Sequence, residues 1–199
     1  MDLKKAISLI AFGFLFIFVN LNLSFTNLTI NILPVFIGWF LLFLAFTPLG
    51  VYMEGKSYMH WIPLVLTAAS CAFWVIDIAR PQLDDPVLSV VRFILNLVSA
   101  GYWFILFGIL EKIANDTGTT KGPRIHVIKV VSLVLYIAVT ILALLVIQVQ
   151  TAALATLFML CSIVLIVVVI IALFTLFGLR KDILRQSEQN LIDQVKGNQ

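Results

Sequence analysis

Charged residues are scarce in this chain. Asp, Glu, Lys and Arg make up 12% of its 199 residues. A water-soluble domain carries about a quarter, so a solvated globular surface is excluded. Cysteine is almost absent. Cys71 and Cys161 each fall near the middle of an apolar run, which excludes a disulfide framework or a thiolate metal site and leaves them as small packing residues. Histidine is as rare. His60 and His126 stand at the ends of apolar runs, far apart, with no acidic or cysteine neighbour at ligand spacing, so no metal site is expected. No phosphate-cradling glycine loop appears, and no nucleophile and base converge. The chain is therefore expected to be no enzyme, with no catalytic residue and no cofactor. The net charge of +3 is no sign of nucleic-acid binding, because the basic residues cluster at the ends of apolar runs.

What is present in excess is hydrophobicity: 62% of residues are apolar. Runs of this length and density mark transmembrane helices, which need about 20 residues to cross about 30 Å of hydrocarbon. They are too continuously apolar for barrel strands, which alternate over about 10 residues. Lipid cannot hydrogen-bond a bare backbone, so the spans must be helical. The expected fold is all-α and integral to the membrane, a bundle of six transmembrane helices. The spans fall at about 4–19, 34–52, 60–79, 87–110, 125–147 and 151–179. Residues 1–182 form one transmembrane domain, followed by a cytoplasmic tail at 183–199. No small-x-small cleavage pattern closes the first run, so it reads as a retained span. Pro34 suits a first helical turn, Pro48 should kink or end span 2, and Arg80-Pro81 stops span 3. In the tail, Leu184, Leu191 and Val195 have heptad-like spacing, too short to establish a coiled coil; a frayed or membrane-lying helix is expected there.

Six spans give the charges a side. With the N-terminus inside, the inner segments hold Lys4, Lys5, Lys56, Lys112, Lys121, Arg124, Lys129, Arg180, Lys181, Arg185 and Lys196. Only Arg80 and Arg92 remain outside. Eleven of the 13 basic residues thus share one side, as the positive-inside rule demands of short loops. Both termini are expected to be cytoplasmic. Spans 2, 4 and 6 also share a Phe-x-x-Phe pattern at Phe40–Phe43, Phe104–Phe107 and Phe174–Phe177, with Gly108 and Gly178 following the last two. This is what three parallel helical hairpins would give, or what a Phe-rich chain gives by coincidence.

Between spans 1 and 2, residues 20–32 alternate polar and apolar, with one phase break at Thr26-Asn27. Period two is the strand signal, and Asn tolerates a tight turn. A short β-hairpin at about 20–32 on the outer face is expected, with Asn20, Asn22, Asn27 and Asn31 on its polar face. The same residues also allow a helical or re-entrant loop, since Asn20, Ser24, Asn27 and Asn31 share a helical face. The adjoining segment Asn31-Ile-Leu-Pro-Val-Phe-Ile-Gly-Trp39 resembles a recurring segment of small multispanning membrane proteins of Gram-positive bacteria, Asn-Ile-Leu-Pro-Asp-Phe-Ile-Gly-Tyr/Trp. Val35 replaces the acidic residue, so any role of that carboxylate is absent here. The resemblance covers about 25 residues. It implies a bacterial cytoplasmic membrane and supplies no chemistry.

A polar seam runs along spans 3 and 4. Thr67, Ser70, Trp74 and Asp77 recur at helical spacing, as do Ser89, Arg92, Asn96, Ser99 and Trp103. A short connection should make these spans antiparallel neighbours, with Asp77 and Arg92 near its end. An ionisable group within a span costs about 2.5–3.5 kcal/mol on insertion scales. Two readings are open. Asp77 and Arg92 snorkel while the small residues let helices approach, or Asp77, Arg92, Asn96, Ser70 and Ser99 line a solute cavity. The expected function follows the first: a non-enzymatic accessory or structural membrane component. The alternative is a small-solute binding or transport subunit. The expected partners are the bilayer and a homo-oligomer or larger membrane complex.

Overall fold

The computed structural model describes residues 3–18, 22–25, 28–31, 34–50, 57–79, 86–149 and 151–197. Helices α1 (Leu3–Phe18) and α2 (Val35–Leu49) flank two short strands, β1 (Asn22–Phe25) and β2 (Leu28–Asn31). The strands pair antiparallel, with Asn22 opposite Asn31, Leu23 opposite Ile30, Ser24 opposite Thr29 and Phe25 opposite Leu28. Positions of like polarity are thus paired across the ladder. The expected turn at Thr26-Asn27 lies outside the described residues, as do Asn20, Arg80, Asp84 and Asp85.

A 3-10 turn at Ser57–His60 leads into α3 (Trp61–Ala79), followed by α4 (Pro86–Asp116), α5 (Gly122–Val149) and α6 (Ala152–Gly197). These four helices are long and apolar enough to cross a membrane, and the protein is an all-α membrane fold. The helices α1 and α2 are shorter, at 16 and 15 residues. That is about 24 and 22 Å of helix at 1.5 Å per residue, less than a full crossing. As expected, α2 stops at once after Pro48.

Two boundaries differ from the sequence reading. First, α4 continues to Asp116, and Gly118, at φ +63°, closes it. The Gly118 N–H donates to Asn115 O and the Thr119 N–H to Ala114 O. These are the two bonds of a Schellman cap, which glycine fits because it has no Cβ. Second, the segment after Leu179 is neither frayed nor a separate helix. It prolongs α6 without interruption to Gly197, because 180–197 contains no proline or glycine before its last residue to stop it.

Packing starts from α1 and α2. A Cβ added at Gly13 would lie 2.8 Å from Gly38 O, and one at Gly38 would lie 2.6 Å from Gly13 O. Only glycine at both positions lets the two backbones touch, the small-residue device by which membrane helices associate. Outside this pair, α1 also packs on α6, α2 on α3, α4 on α5, and α5 on α6. The second half of α4 fills the centre. Its Tyr102, Trp103, Leu106, Phe107, Leu110 and Ile113 are all buried. Phe14 of α1 stands edge-on to Trp103 at 4.8 Å, and Trp39 of α2 lies 5.5 Å from Tyr102 and 5.7 Å from Trp103. Such offset and edge contacts add about 0.5–1.5 kcal/mol each beyond burial. The outward positions are large and apolar on every long helix, among them Val65, Val90, Ile94, Val134, Ile163, Ile170 and Phe174. That is the inverse of a water-exposed surface.

The spans 3 and 4 are not the close neighbours that their short connection suggested. The described parts of α3 and α4 meet only sparsely, and α3 packs chiefly on α2. Ring contacts explain the preference. Phe36 of α2 is edge-on to Trp74 at 5.6 Å, and Phe43 lies 4.5 Å from His60.

Candidate functional site

The hydroxyls of the expected seam turn first to their own helices. Thr67 Oγ1 donates to Pro63 O at 2.7 Å, and Ser99 Oγ to Leu95 O at 2.7 Å. Thr140, Ser162 and Thr175 do the same to the carbonyl four residues earlier. This back-bonding satisfies a hydroxyl at membrane depth without a partner helix. Ser99 is buried and Ser70 half-buried, and neither is bonded to the rest of the seam. The Trp74 side chain faces α2 rather than α4.

Asp77 and Arg92 do come together. The guanidinium donates to the Asp77 carboxylate across the α3–α4 hairpin. It also lies over the Phe73 ring, 4.8 Å from the centroid, a cation–π contact that helps hold it. Both side chains are about half exposed, 46% and 56%. Asn96, one turn deeper, leaves the seam. Its Oδ1 accepts from Tyr136 Oη of α5 at 3.4 Å. Of the polar strand face, Asn22 and Asn31 occupy paired positions at the open end of the ladder; Asn27, like Asn20, falls outside the described residues. The structure therefore divides the proposed seam into one ion pair and one amide–phenol contact on different neighbours.

A second charged cluster ties the other end of α4. Glu111 Oε2 accepts from Lys129 Nζ at 2.6 Å, and Glu111 Oε1 lies 2.9 Å from His126 Nδ1. This pair is more enclosed than Asp77–Arg92, with Glu111 21% and Lys129 14% exposed. The Lys129 stem passes Gly108, and its ammonium lies 5.4 Å from the centre of Phe104. Sequence reasoning passed over this cluster, treating His126 as an isolated residue at a helix end. The signal was there. Glu111 and His126 are 15 residues apart across a short hairpin, the same separation as Asp77 and Arg92.

Open space lies elsewhere. A cavity of about 10 Å³ sits among α1, α4, α5 and α6, beside Phe14, Trp103, Phe107, Tyr136 and Val169. It has room for about one water and its walls are apolar and aromatic. No group of three or more His, Cys, Asp or Glu able to hold a metal ion occurs among the described residues.

These features define the class: a helical membrane protein with at least four crossing-length helices. No family model matches the chain, and no curated protein or solved structure matches it either.

Proposed function

We propose that this chain is a non-enzymatic, multi-pass component of a bacterial cytoplasmic membrane, an accessory or structural member of a larger assembly. It crosses six times, with both termini and the α4–α5 loop in the cytoplasm and the β1–β2 ladder on the outer face. The observation that carries the reading is how the polar groups at membrane depth are used. Asp77 bonds Arg92, Asn96 bonds Tyr136, and the hydroxyls bond their own helices. Of these groups only Tyr136 and Ser132 border the small apolar cavity, and the Ser132 hydroxyl bonds Lys129 O of its own helix. Polar groups satisfied in this way hold helices together and leave no converging set for a solute or a reaction.

Six crossings are supported by the place of α1 and α2. Both pack against the central α4, α1 packs also against α6, and their exposed positions include Phe12, Phe40 and Leu44. Large apolar side chains facing outward suit lipid and not water. The inside assignment rests on the basic residues gathered at the start of α1, the α4–α5 loop and α6 after Leu179.

The test is purification of the full chain from its native membranes under mild detergent, with mass spectrometry of what comes along. One or a few proteins in constant ratio are expected. A stoichiometric polar solute, lost in Asp77→Asn and Arg92→Gln variants that still fold, would replace this reading by that of a solute-binding subunit.

A further inference from the structure

The end of the bundle at the α4–α5 loop carries more positive charge than its helices can balance. Gly178 of α6 faces Lys121. A Cβ at position 178 would stand 3.2 Å from Lys121 Cε and 3.5 Å from its Nζ, so this lysine lies half-buried along bare backbone. Arg124 is one turn away on α5, and Arg180 and Lys181 lie within one turn on α6. All three are exposed. Among the described residues, none of these four cations has a carboxylate at ion-pair distance. Glu111 is already taken by Lys129 and His126, and Asp116 and Asp182, the other acids near this end among the described residues, pair with none of them.

The helix ends make the imbalance worse. The first turn of α5 holds no acidic residue, yet Lys121 and Arg124 stand at its positive pole. Cations there are disfavoured by the same helix dipole that favours an anion. The depth is also defined: the apolar run of α6 ends at Leu179, and the cations begin at the next residue. That is where phosphate headgroups lie.

We propose that this place binds an anionic phospholipid of the adjoining leaflet. Its headgroup phosphate is held by Lys121 over Gly178, with Arg124 one turn on in α5 and Lys181 on the Gly178 face of α6 beside it. The proposal requires that the chain sit in a bilayer; it is independent of which face is cytoplasmic and of any protein partner.

The test uses the full chain in non-ionic detergent at low salt. Phosphatidylglycerol, phosphatidylcholine and inorganic phosphate are added separately, and binding is read by native mass spectrometry and thermal melting. Phosphatidylglycerol should be retained and raise the melting temperature. Phosphatidylcholine and inorganic phosphate should do neither. The Lys121→Gln, Arg124→Gln double variant should bind phosphatidylglycerol about fivefold more weakly for each charge removed, while Arg92→Gln at the far end should bind as before. Should the double variant fail to fold, a salt series on the unaltered protein decides, since retention must fall as screening rises. Equal retention of phosphatidylcholine, an equal effect of inorganic phosphate, full retention by the folded double variant, or indifference to salt would each overturn the proposal.

Discussion

Two glycines and two ion pairs concentrate the residue-scale energetics. Gly13 and Gly38 stand where the α1 and α2 backbones touch. Replacing either by alanine forces the helices apart or the backbone to shift, an overpacking cost of about 1–3 kcal/mol. A lowered melting temperature of purified Gly38→Ala is the expected result. Gly101→Ala is the control. A Cβ there meets nothing within 4 Å, so it should melt like the unaltered protein or slightly above it, helix propensity favouring alanine. The ion pairs make a second contrast. Glu111–Lys129 is mostly enclosed and Asp77–Arg92 is about half exposed. A double-mutant cycle with Glu111→Gln and Lys129→Gln should give a coupling of about 1–3 kcal/mol. The same cycle on Asp77 and Arg92 should give at most about 1 kcal/mol, as for solvated pairs. Equal couplings would mean that burial does not set their strength.

At the scale of the element, α6 is the unusual piece. Its 46 residues extend about 69 Å at 1.5 Å per residue, more than twice the hydrocarbon thickness. Its descent is fixed near Gln186, whose side-chain amide donates to Thr117 O beside the Gly118 cap, and near Ile183, which is 8% exposed. Deleting the chain after Gln186 should therefore leave the melting temperature unchanged. Deleting it after Lys181 removes Ile183 and the Gln186 bond, and should cost about 1.5–3 kcal/mol for the buried side chain alone. The apolar runs that become α3, α4, α5 and α6 are plain in the sequence because lipid requires continuous hydrophobicity. Where α6 ends is not. Its polar extension is amphiphilic enough to be helix, tail or membrane-lying segment; the lack of a proline or glycine before Gly197 lets the helix run on, and the docking of Ile183 and Gln186 against the α4–α5 end fixes its course. The seam misled for a related reason. Spacing of three and four places Ser99 and Thr67 on stripes, but it also places each hydroxyl over the carbonyl four residues back. Periodicity alone cannot separate the two. Asp77 and Arg92 could be placed at one end of the hairpin because both lie within two turns of its short connection. Glu111 with His126 obeys the same arithmetic.

The whole molecule raises a question of depth that the lengths alone do not answer. Four helices reach crossing length, while α1 and α2 give 16 and 15 residues. Both packing and charge connect the short pair to the long helices. Phe12 of α1 lies 6.2 Å from Phe177 of α6, only three residues before Arg180, so Lys4 and Lys5 stand at the same end as the α6 cations. From that end α1 runs with α4 as far as the Phe14–Trp103 contact and joins the ladder beyond Phe18. If the pair crosses, its ladder emerges opposite the α4–α5 loop. If the pair only dips in, the ladder stays buried or returns to the side of the loop. Cysteine labelling in sealed, oriented vesicles distinguishes these outcomes. Cys71 and Cys161 are replaced by alanine, and single cysteines are placed at Asn27, Thr120 and Gln199. Six crossings predict that a membrane-impermeant maleimide reaches position 27 from the outside only, and positions 120 and 199 only after the vesicles are opened. Labelling of 27 together with 120 from one side would reduce the fold to four crossings. It would leave α1 and α2 as a hairpin held at the membrane surface or part-way in, with their apolar faces turned to lipid from one leaflet.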